Sequence, residues 1–177
     1  WNEVFSGEYA HPDSGPEGER NLTYAVRHEN VLILAFDLYV DLHRVDQQWL
    51  DEQLEATSEQ HIFAFAHEPA WCVVHGDCLD NFPKERDEFW CSLSRAGARA
   101  YFAAHDHFYA RARIHKGGDC PDMYQLIVAT AGAPAYTFSG YNGDNGDASV
   151  EDVFHDTPYG YVLVEIDGPR ARLTWKK

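Results

Sequence analysis

Three continuous apolar runs constrain the fold of this chain more than any other feature. They lie at 31–39, 61–67 and 98–104 and read VLILAFDLY, HIFAFAH and ARAYFAA. A strand with one face in water alternates polar and apolar residues, whereas an unbroken apolar run of this length indicates a strand covered on both faces. Such strands occur mainly in parallel sheets with helices packed against them, so the runs predict an α/β fold.

Helices are predicted between these strands. The segment 44–57 is amphipathic, and the next helix is predicted to begin at Pro83 and to stop at Gly97, since proline suits the first helical position and glycine the end. The order strand–helix–strand–helix–strand requires right-handed crossovers in a mainly parallel sheet. The apolar residues of 44–57 fall on one stripe at helical spacing: Val45, Trp49, Leu50 and Leu54.

The rest of the chain is predicted to extend that sheet with antiparallel strands. Glu29-Asn30 and 116–119 are turn-prone, and the Gly/Asn/Asp-rich stretch 139–152 is predicted to be a loop. No repeat or domain boundary is apparent, so residues 1–177 are taken as a single domain. The additional predicted strands are 22–28, 108–115, 124–131, 159–167 and 171–177.

The charge of the chain excludes one class of partner. Its 14 Lys and Arg stand against 29 Asp and Glu, for a net charge of −15. A nucleic-acid binder normally presents a basic face, so no nucleic-acid groove is expected. No apolar run approaches the roughly 20 residues that cross a bilayer, so no membrane span is expected.

The four cysteines leave the redox state open. Cys72 and Cys78 can pair across a loop, or all four cysteines are buried thiols. The chain begins at Trp1 rather than Met, so its first residues do not reveal the compartment. An extracytoplasmic location is slightly favoured.

Histidines stand where two of the apolar strands end. His67 closes the second run, and His105 and His107 follow the third. Ligands gather at the carboxyl ends of strands in open α/β sheets. On an extended segment, residues i and i+2 face the same side, so His105 and His107 are expected to face one centre while Asp106 points away. Imidazole binds zinc and similar ions; hydrogen-bonded polar residues at strand ends are the alternative, and three converging histidines favour the metal.

Together with their neighbours, these histidines resemble the motifs of a known family. HEPAW at 67–71 and AHDHFYAR at 104–111 are similar to metal-binding motifs of the calcineurin-like metallophosphoesterases, nearest to the purple-acid-phosphatase-like branch. The resemblance covers most of residues 21–137 and implies the C-terminal half of a mixed-sheet α/β/β/α sandwich. Ala104 stands where the family has glycine, a change that is tolerated if the backbone there needs no positive φ.

The resemblance implies a dinuclear metal site that hydrolyses phosphate mono- or diesters. His67 and His105 would bind one ion and His107 the other, with iron, zinc or manganese as the metal. Two ions activate a bound water and polarise the phosphoryl oxygens, so no protein nucleophile is needed. His75, in the loop after His67, is implied to contact the substrate phosphate; an exposed loop histidine is the alternative.

The N-terminal half of that family, with its Asp-x-His, Gly-Asp and Gly-Asn-His motifs, is not matched here, and no Gly-Asn-His stretch occurs. The segment 1–5, WNEVF, is similar to family sequence located directly after the Gly-Asn-His motif. Three neutral histidines without a bridging carboxylate cannot compensate two adjacent cations, so this chain alone is expected to hold at most one ion, weakly. Apolar surface exposed by a half-sheet is expected to pair with the N-terminal half or with a second copy.

Two other functions remain open. The chain is a non-catalytic binding or scaffold module that keeps the fold, or it is an unrelated His-x-His hydrolase of the barrel type, in which the pair lies on the first strand. Glu68 either orients a metal ligand or caps a strand end. For Arg111 a surface ion pair is favoured over a phosphate contact, and for 143–152 a mobile rim loop is favoured over a calcium site.

Overall fold

A mixed sheet of seven strands forms the centre of the molecule in the computed structural model, which describes residues 6–141, 146–157 and 159–177. A separate two-stranded sheet and two α-helices accompany it, with short 3-10 turns at Gly7–Tyr9 and Leu79–Asn81. In chain order the elements are β1 (Tyr24–His28), β2 (Val31–Phe36), α1 (Gln47–Glu55), β3 (His61–Ala66), α2 (Pro83–Arg95), β4 (Ala100–Ala103), β5 (Tyr109–His115), β6 (Met123–Val128), β7 (Ser149–Asp156), β8 (Tyr161–Asp167) and β9 (Arg170–Lys176).

The strand order of the large sheet is β1-β2-β3-β4-β6-β5-β7. The strands β2, β3, β4 and β6 are parallel, which confirms the parallel core predicted from the apolar runs. The remaining strands β1, β5 and β7 pair antiparallel with their neighbours. Phe65 pairs with Phe102 near the carboxyl ends of β3 and β4. The residues that follow these two strands therefore emerge side by side at one edge of the sheet.

Both helices cover one face of the sheet and close the main core. The side chain of Asp46 accepts a hydrogen bond from the backbone N–H of Trp49 and caps α1, which is shorter at both ends than the predicted 44–57. Pro83 begins α2 as predicted, and Gly97, with φ of +99°, lies just beyond its end. The largest fully buried side chains of this core include Trp71, Trp90, Tyr101 and Phe89.

The last two strands, β8 and β9, form a separate hairpin and do not extend the large sheet as predicted. This hairpin covers part of the opposite face. Trp175 of β9 stacks on Tyr109 of β5 with ring centroids 4.2 Å apart, and Leu173 joins the same cluster. The layers are thus helices, large sheet and small sheet, which confirms the predicted α/β class and the α/β/β part of the sandwich. Between the hairpin and the large sheet lies a cavity of about 640 Å³, and Phe65 on this face remains 37% exposed.

Strand β7 corrects one prediction. The stretch 139–152 was expected to be a loop, but β7 begins at Ser149 and pairs with β5 at the sheet edge. Most side chains of β7 are exposed, so its pairing rests on backbone hydrogen bonds and leaves no apolar alternation in the sequence. Residues 142–145, within the predicted loop, and the segment 1–5 lie outside the described residues.

Two disulfides cross-link the chain. Cys72 pairs with Cys78, as one of the two alternatives expected, and Cys91 of α2 pairs with Cys120. The second pairing was not predicted, because the two cysteines are 29 residues apart and no spacing motif connects them. In the described part of the chain, no helix is long and apolar enough to cross a bilayer.

Candidate metal centre

His67 and His105 meet at the carboxyl ends of β3 and β4. Nε2 of His67 lies 3.2 Å from Nδ1 of His105, and the backbone N–H of Ala104 donates to the carbonyl of His67 across 2.9 Å. Two nitrogens bound at about 2.0–2.1 Å to one tetrahedral ion lie about 3.3 Å apart. The predicted proximity of the two histidines is found, and their nitrogens are spaced to share one transition-metal ion.

The backbone around His105 is turned rather than extended. His105 has a φ of 64°, and the N–H of Asp106 donates to the carbonyl of Ala104 across 2.7 Å. The expectation that His105 and His107 share one side of an extended segment is therefore wrong. Ala104 is not among the residues with positive φ, so the alanine at the family's glycine position is accommodated. The positive φ falls on His105 itself, a conformation that costs energy in a non-glycine residue.

His107 is held from the other side by the segment after β6. Its Nδ1 lies 3.0 Å from the carbonyl of Pro134, and its ring stacks on Tyr136 with centroids 4.3 Å apart. The carbonyl can only accept, so Nδ1 carries the proton and Nε2 is left available to a ligand. The ligand atoms of His67, His105 and His107 do not all lie within 4.8 Å of one another. His107 is close to the pair without completing a three-nitrogen cluster.

His75 belongs to the same group of rings. Its ring centroid lies 4.3 Å from that of His105 and 5.2 Å from that of Tyr136. Nδ1 of His75 lies 2.7 Å from Oδ1 of Asp106, and the side chain is about one-third exposed. His75 is thus packed against His105 and hydrogen-bonded, unlike an isolated loop histidine. With Nδ1 engaged, Nε2 is the nitrogen it can offer to a ligand.

Two carboxylates adjoin these histidines, and sequence reasoning assigned neither a role. Oδ1 of Asp77 lies 3.0 Å from Nε2 of His105, and this hydrogen bond holds the pKa of Asp77 below its usual range. Asp106 is fully buried and accepts from the N–H groups of Val74 and His75 as well as from His75 Nδ1. The described hydrogen bonds of the Asp106 carboxylate thus run to the loop after β3.

Glu68 and His43 form a second pair beside the centre. Both carboxylate oxygens of the buried Glu68 lie within hydrogen-bond distance of His43 Nδ1, at 3.0 and 2.9 Å. Burial raises the pKa of Glu68, and the hydrogen bond to His43 opposes that rise. The Tyr101 hydroxyl donates to the Glu68 carbonyl across 2.6 Å. The contacts of this carboxylate therefore run to His43, and sequence reasoning passed over that histidine.

A signal for His43 was present in the sequence. Asp41-Leu42-His43 has the spacing of the Asp-x-His motif and follows a parallel strand. In the structure Asp41 contacts Arg44 and His43 contacts Glu68. The pairing of Asp77 and Asp106 with histidines depends on how the loop after β3 folds over β4, which residue types at fixed spacing do not reveal.

The surroundings of His67 favour its neutral ring. Burial lowers the pKa of His67, and the nearby His105 and His107 lower it further. A neutral imidazole is the form that binds metal ions. The donor set of imidazole nitrogens with an adjacent carboxylate therefore fits a divalent transition metal.

Arg111 lies away from this centre. Its guanidinium carbon is 5.9 Å from the ring centroid of Tyr124 and 6.0 Å from that of Phe154. Arg111 also lines the cavity between the large sheet and the hairpin. The described contacts of Arg111 are thus aromatic, in place of the surface ion pair that was favoured.

Comparisons with known proteins give the fold. No family model matches the sequence, and no curated protein matches it. The structure of PhoD matches with a TM-score of 0.60 and 12% identity, over 91% of this chain and 39% of that one. Purple acid phosphatase PPD1 from yellow lupin seeds matches with a TM-score of 0.58 and 15% identity, over 83% and 29%. GAP50, the anchor in the inner membrane complex of Plasmodium, matches with a TM-score of 0.53 and 10% identity, over 87% and 50%.

These likenesses establish a metallophosphoesterase-like fold for the described chain. At 10–15% identity, these likenesses are evidence for a shared fold and not for a shared activity. The chain spans half or less of the length of each of these solved structures.

Proposed function

We propose that this chain supplies part of the ligands of a metal-dependent site that hydrolyses phosphate mono- or diesters. The observation that carries the proposal is the 3.2 Å separation of His67 Nε2 and His105 Nδ1 at the ends of adjacent parallel strands. Open α/β sheets bind their ligands at this edge. The fold shared with PhoD and a purple acid phosphatase supports the same reaction class.

Each histidine has a distinct part in this proposal. His67 and His105 hold one ion through the facing nitrogens, and His107 offers Nε2 to a second. Iron, zinc or manganese bound there would lower the pKa of a coordinated water and neutralise charge on the phosphoryl oxygens. Because Nδ1 of His75 is bonded to Asp106, His75 contacts the substrate from the rim through Nε2, which accepts a hydrogen bond from a protonated phosphate oxygen.

The charge of the site limits what this chain holds by itself. The histidines are neutral ligands, and Asp77 is already hydrogen-bonded to His105. Two divalent ions a few ångströms apart repel each other strongly unless anionic ligands lie between them. We therefore propose that this chain alone holds one ion weakly, and that two ions bind in a longer protein that supplies carboxylate ligands from outside this chain.

Two further features bear on the setting of the site. The disulfides Cys72–Cys78 and Cys91–Cys120 support an extracytoplasmic compartment, because disulfides persist in oxidising surroundings. The partly exposed Phe65 and the cavity beside the hairpin support an apolar partner on this face, either further chain or a second copy.

Metal titration followed by a phosphatase assay tests the proposal. The metal-free chain is titrated with zinc and with manganese by calorimetry, and hydrolysis of p-nitrophenyl phosphate is measured on the longest natural protein that contains this sequence. The double variant His105→Ala, His107→Ala should lose metal and activity, whereas His61→Ala, at the far end of β3, should keep both. Unchanged metal content and activity in the double variant would overturn the proposal.

A non-catalytic binding module is the second candidate. GAP50, which shares the fold, is an anchor in the inner membrane complex of Plasmodium, and a fold by itself does not imply catalysis. Near His67, the loop after β2 exposes Tyr39, Val40 and Leu42 to at least half of their area, as a binding surface would. A folded protein that takes up no metal in the titration above would favour this candidate.

A further inference from the structure

The loop after β3 and the turn after β4 are joined by two carboxylate–imidazole pairs that run in opposite directions. In one pair the loop supplies the imidazole, His75, and the turn supplies the carboxylate, Asp106, with His75 Nδ1 2.7 Å from Asp106 Oδ1. In the other pair the loop supplies Asp77 and the turn supplies His105, with 3.0 Å between Asp77 Oδ1 and His105 Nε2. Each segment thus orients one ring of the other.

The loop that takes part in both pairs is short and closed. The Cys72–Cys78 disulfide spans it, and His75 and Asp77 lie between the two cysteines. Asp106 also accepts hydrogen bonds from the backbone N–H groups of Val74 and His75, at 3.1 and 3.3 Å. The backbone that carries His75 is therefore fixed together with its ring.

Each pair selects one tautomer. An ionised carboxylate only accepts hydrogen bonds, so the imidazole nitrogen that faces it must carry the proton. Asp106 therefore places the proton of His75 on Nδ1 and leaves Nε2 bare. Asp77 places the proton of His105 on Nε2 and leaves Nδ1, which faces His67, bare. Carboxylates that fix metal-ligand histidines in this way are widespread, and their loss typically reduces metal affinity or activity about 10–100-fold.

We infer that Asp77 and Asp106 are positioning residues, which hold His105 and His75 in fixed tautomers. These tautomers present the lone pair of His105 Nδ1 to a metal ion, and the lone pair of His75 Nε2 to a metal ion or to the hydroxyl of a protonated phosphate. This inference rests on the proposed function for the ligands, and on the geometry alone for the tautomers. Each aspartate acts through the histidine ring that it contacts.

The asparagine variants separate the two pairs. The carboxamide that Asp77→Asn introduces can donate or accept, so it keeps the size of the side chain and removes the selection of one tautomer. In Asp106→Asn the side-chain NH₂ group replaces one of the two oxygens, so it faces either the imidazole of His75 or the backbone N–H of Val74. One of the present hydrogen bonds is lost in either orientation. Asp122→Asn is the matched control, because Asp122 Oδ1 lies 2.7 Å from His115 Nδ1 at the opposite end of β5.

Long-range ¹H–¹⁵N spectra of the metal-free, histidine-labelled chain read the tautomers directly, at a pH about two units above the ordinary histidine pKa of 6.5. We expect Asp77→Asn to shift His105 toward the other tautomer and leave His75 unchanged, and Asp106→Asn to do the reverse. Asp122→Asn should change neither. Zinc affinity should fall about tenfold or more in Asp77→Asn and less in Asp106→Asn.

The outcomes distinguish this inference from the proposed function. Unchanged His105 and His75 tautomers in the folded aspartate variants would overturn the inference, even if wild type binds metal. Tautomers that respond as expected, in a wild type that binds no zinc, would support the orienting pairs and overturn the proposed function. If Asp106→Asn fails to fold, as circular dichroism would show, Asp77→Asn decides alone, because Asp77 is exposed and its replacement leaves the core intact.

Discussion

His61 and His67 mark the two ends of β3, and their surroundings differ in kind. Nε2 of His61 lies 2.9 Å from the carbonyl of Gly168, whereas Nε2 of His67 faces Nδ1 of His105. One strand thus carries a histidine with a structural contact at its start and a histidine of the candidate metal centre just after its end. This arrangement provides a matched pair of variants in a single element.

The first prediction uses that pair. His67→Ala should reduce zinc affinity at least about tenfold, because loss of a ligand must cost no less than loss of a residue that merely orients one. His61→Ala should leave zinc affinity unchanged, since His61 is remote from the other end of the strand. Calorimetric titration of both metal-free variants measures the difference. Equal affinity in His67→Ala and wild type would contradict the assignment of His67.

Removal of each disulfide in turn should have different effects on the stability of the fold and on the geometry of the candidate metal centre. By chain entropy, Cys91–Cys120, with a sequence separation of 29, should stabilise the fold by about 3.5 kcal/mol, and Cys72–Cys78, with a separation of 6, by about 2 kcal/mol. Only Cys72–Cys78 encloses His75 and Asp77. We therefore expect the double alanine variant of Cys91–Cys120 to unfold at lower urea and keep its zinc affinity.

The corresponding variant of Cys72–Cys78 should behave in the opposite way. It should lose less stability and more zinc affinity, because the loop that holds Asp77 against His105 is no longer closed. Urea unfolding and zinc titration on the same preparations compare the two variants. Parallel losses of stability and affinity in both would show that the loop closure has no specific effect on the centre.

The third prediction concerns the buried Glu68. His43→Ala removes the imidazole that contacts both of its carboxylate oxygens and leaves a buried group without that partner. Loss of a hydrogen bond to a charged group costs about 1.5–3 kcal/mol, so the free energy of unfolding should fall by that amount. The control is His115→Ala, which breaks the exposed pair with Asp122 and should cost less than about 1 kcal/mol. Similar losses in the two variants would contradict a stabilising role for the His43–Glu68 pair.

The parallel core could be predicted because strands that are buried on one face and at least largely covered on the other are apolar at successive positions. The β2, β3 and β4 strands are continuous apolar runs, and α2 begins with Pro83 and ends near Gly97, as predicted. β7 has no such run, because an exposed edge strand is held by backbone pairing. Its side chains follow no apolar pattern from which a strand could be predicted.

The position of the histidine group was partly predictable from the order of the strands. His67 and His105 follow adjacent parallel strands, so topology alone brings them together. The pairs His75–Asp106 and Asp77–His105 depend instead on the path of a loop and on the positive φ of His105. Neither the path of a loop nor a single backbone angle can be read from residue types at fixed spacing.

The last prediction follows from the lowered pKa of His67. Burial, reinforced by His105 and His107, lowers this pKa in the folded chain, while the unfolded chain keeps the ordinary value of about 6.5. As the pH falls through the pKa that His67 has in the unfolded chain, the unfolded chain binds a proton there before the folded chain does. The free energy of unfolding therefore decreases with falling pH until the pH reaches the lower pKa of the folded chain. His67→Gln removes this titration, so the variant should gain stability relative to wild type between about pH 7.5 and about pH 5.5. Urea unfolding of the metal-free proteins at both pH values measures the difference, with His61→Gln as the control, and an equal pH dependence in His67→Gln and wild type would refute the lowered pKa.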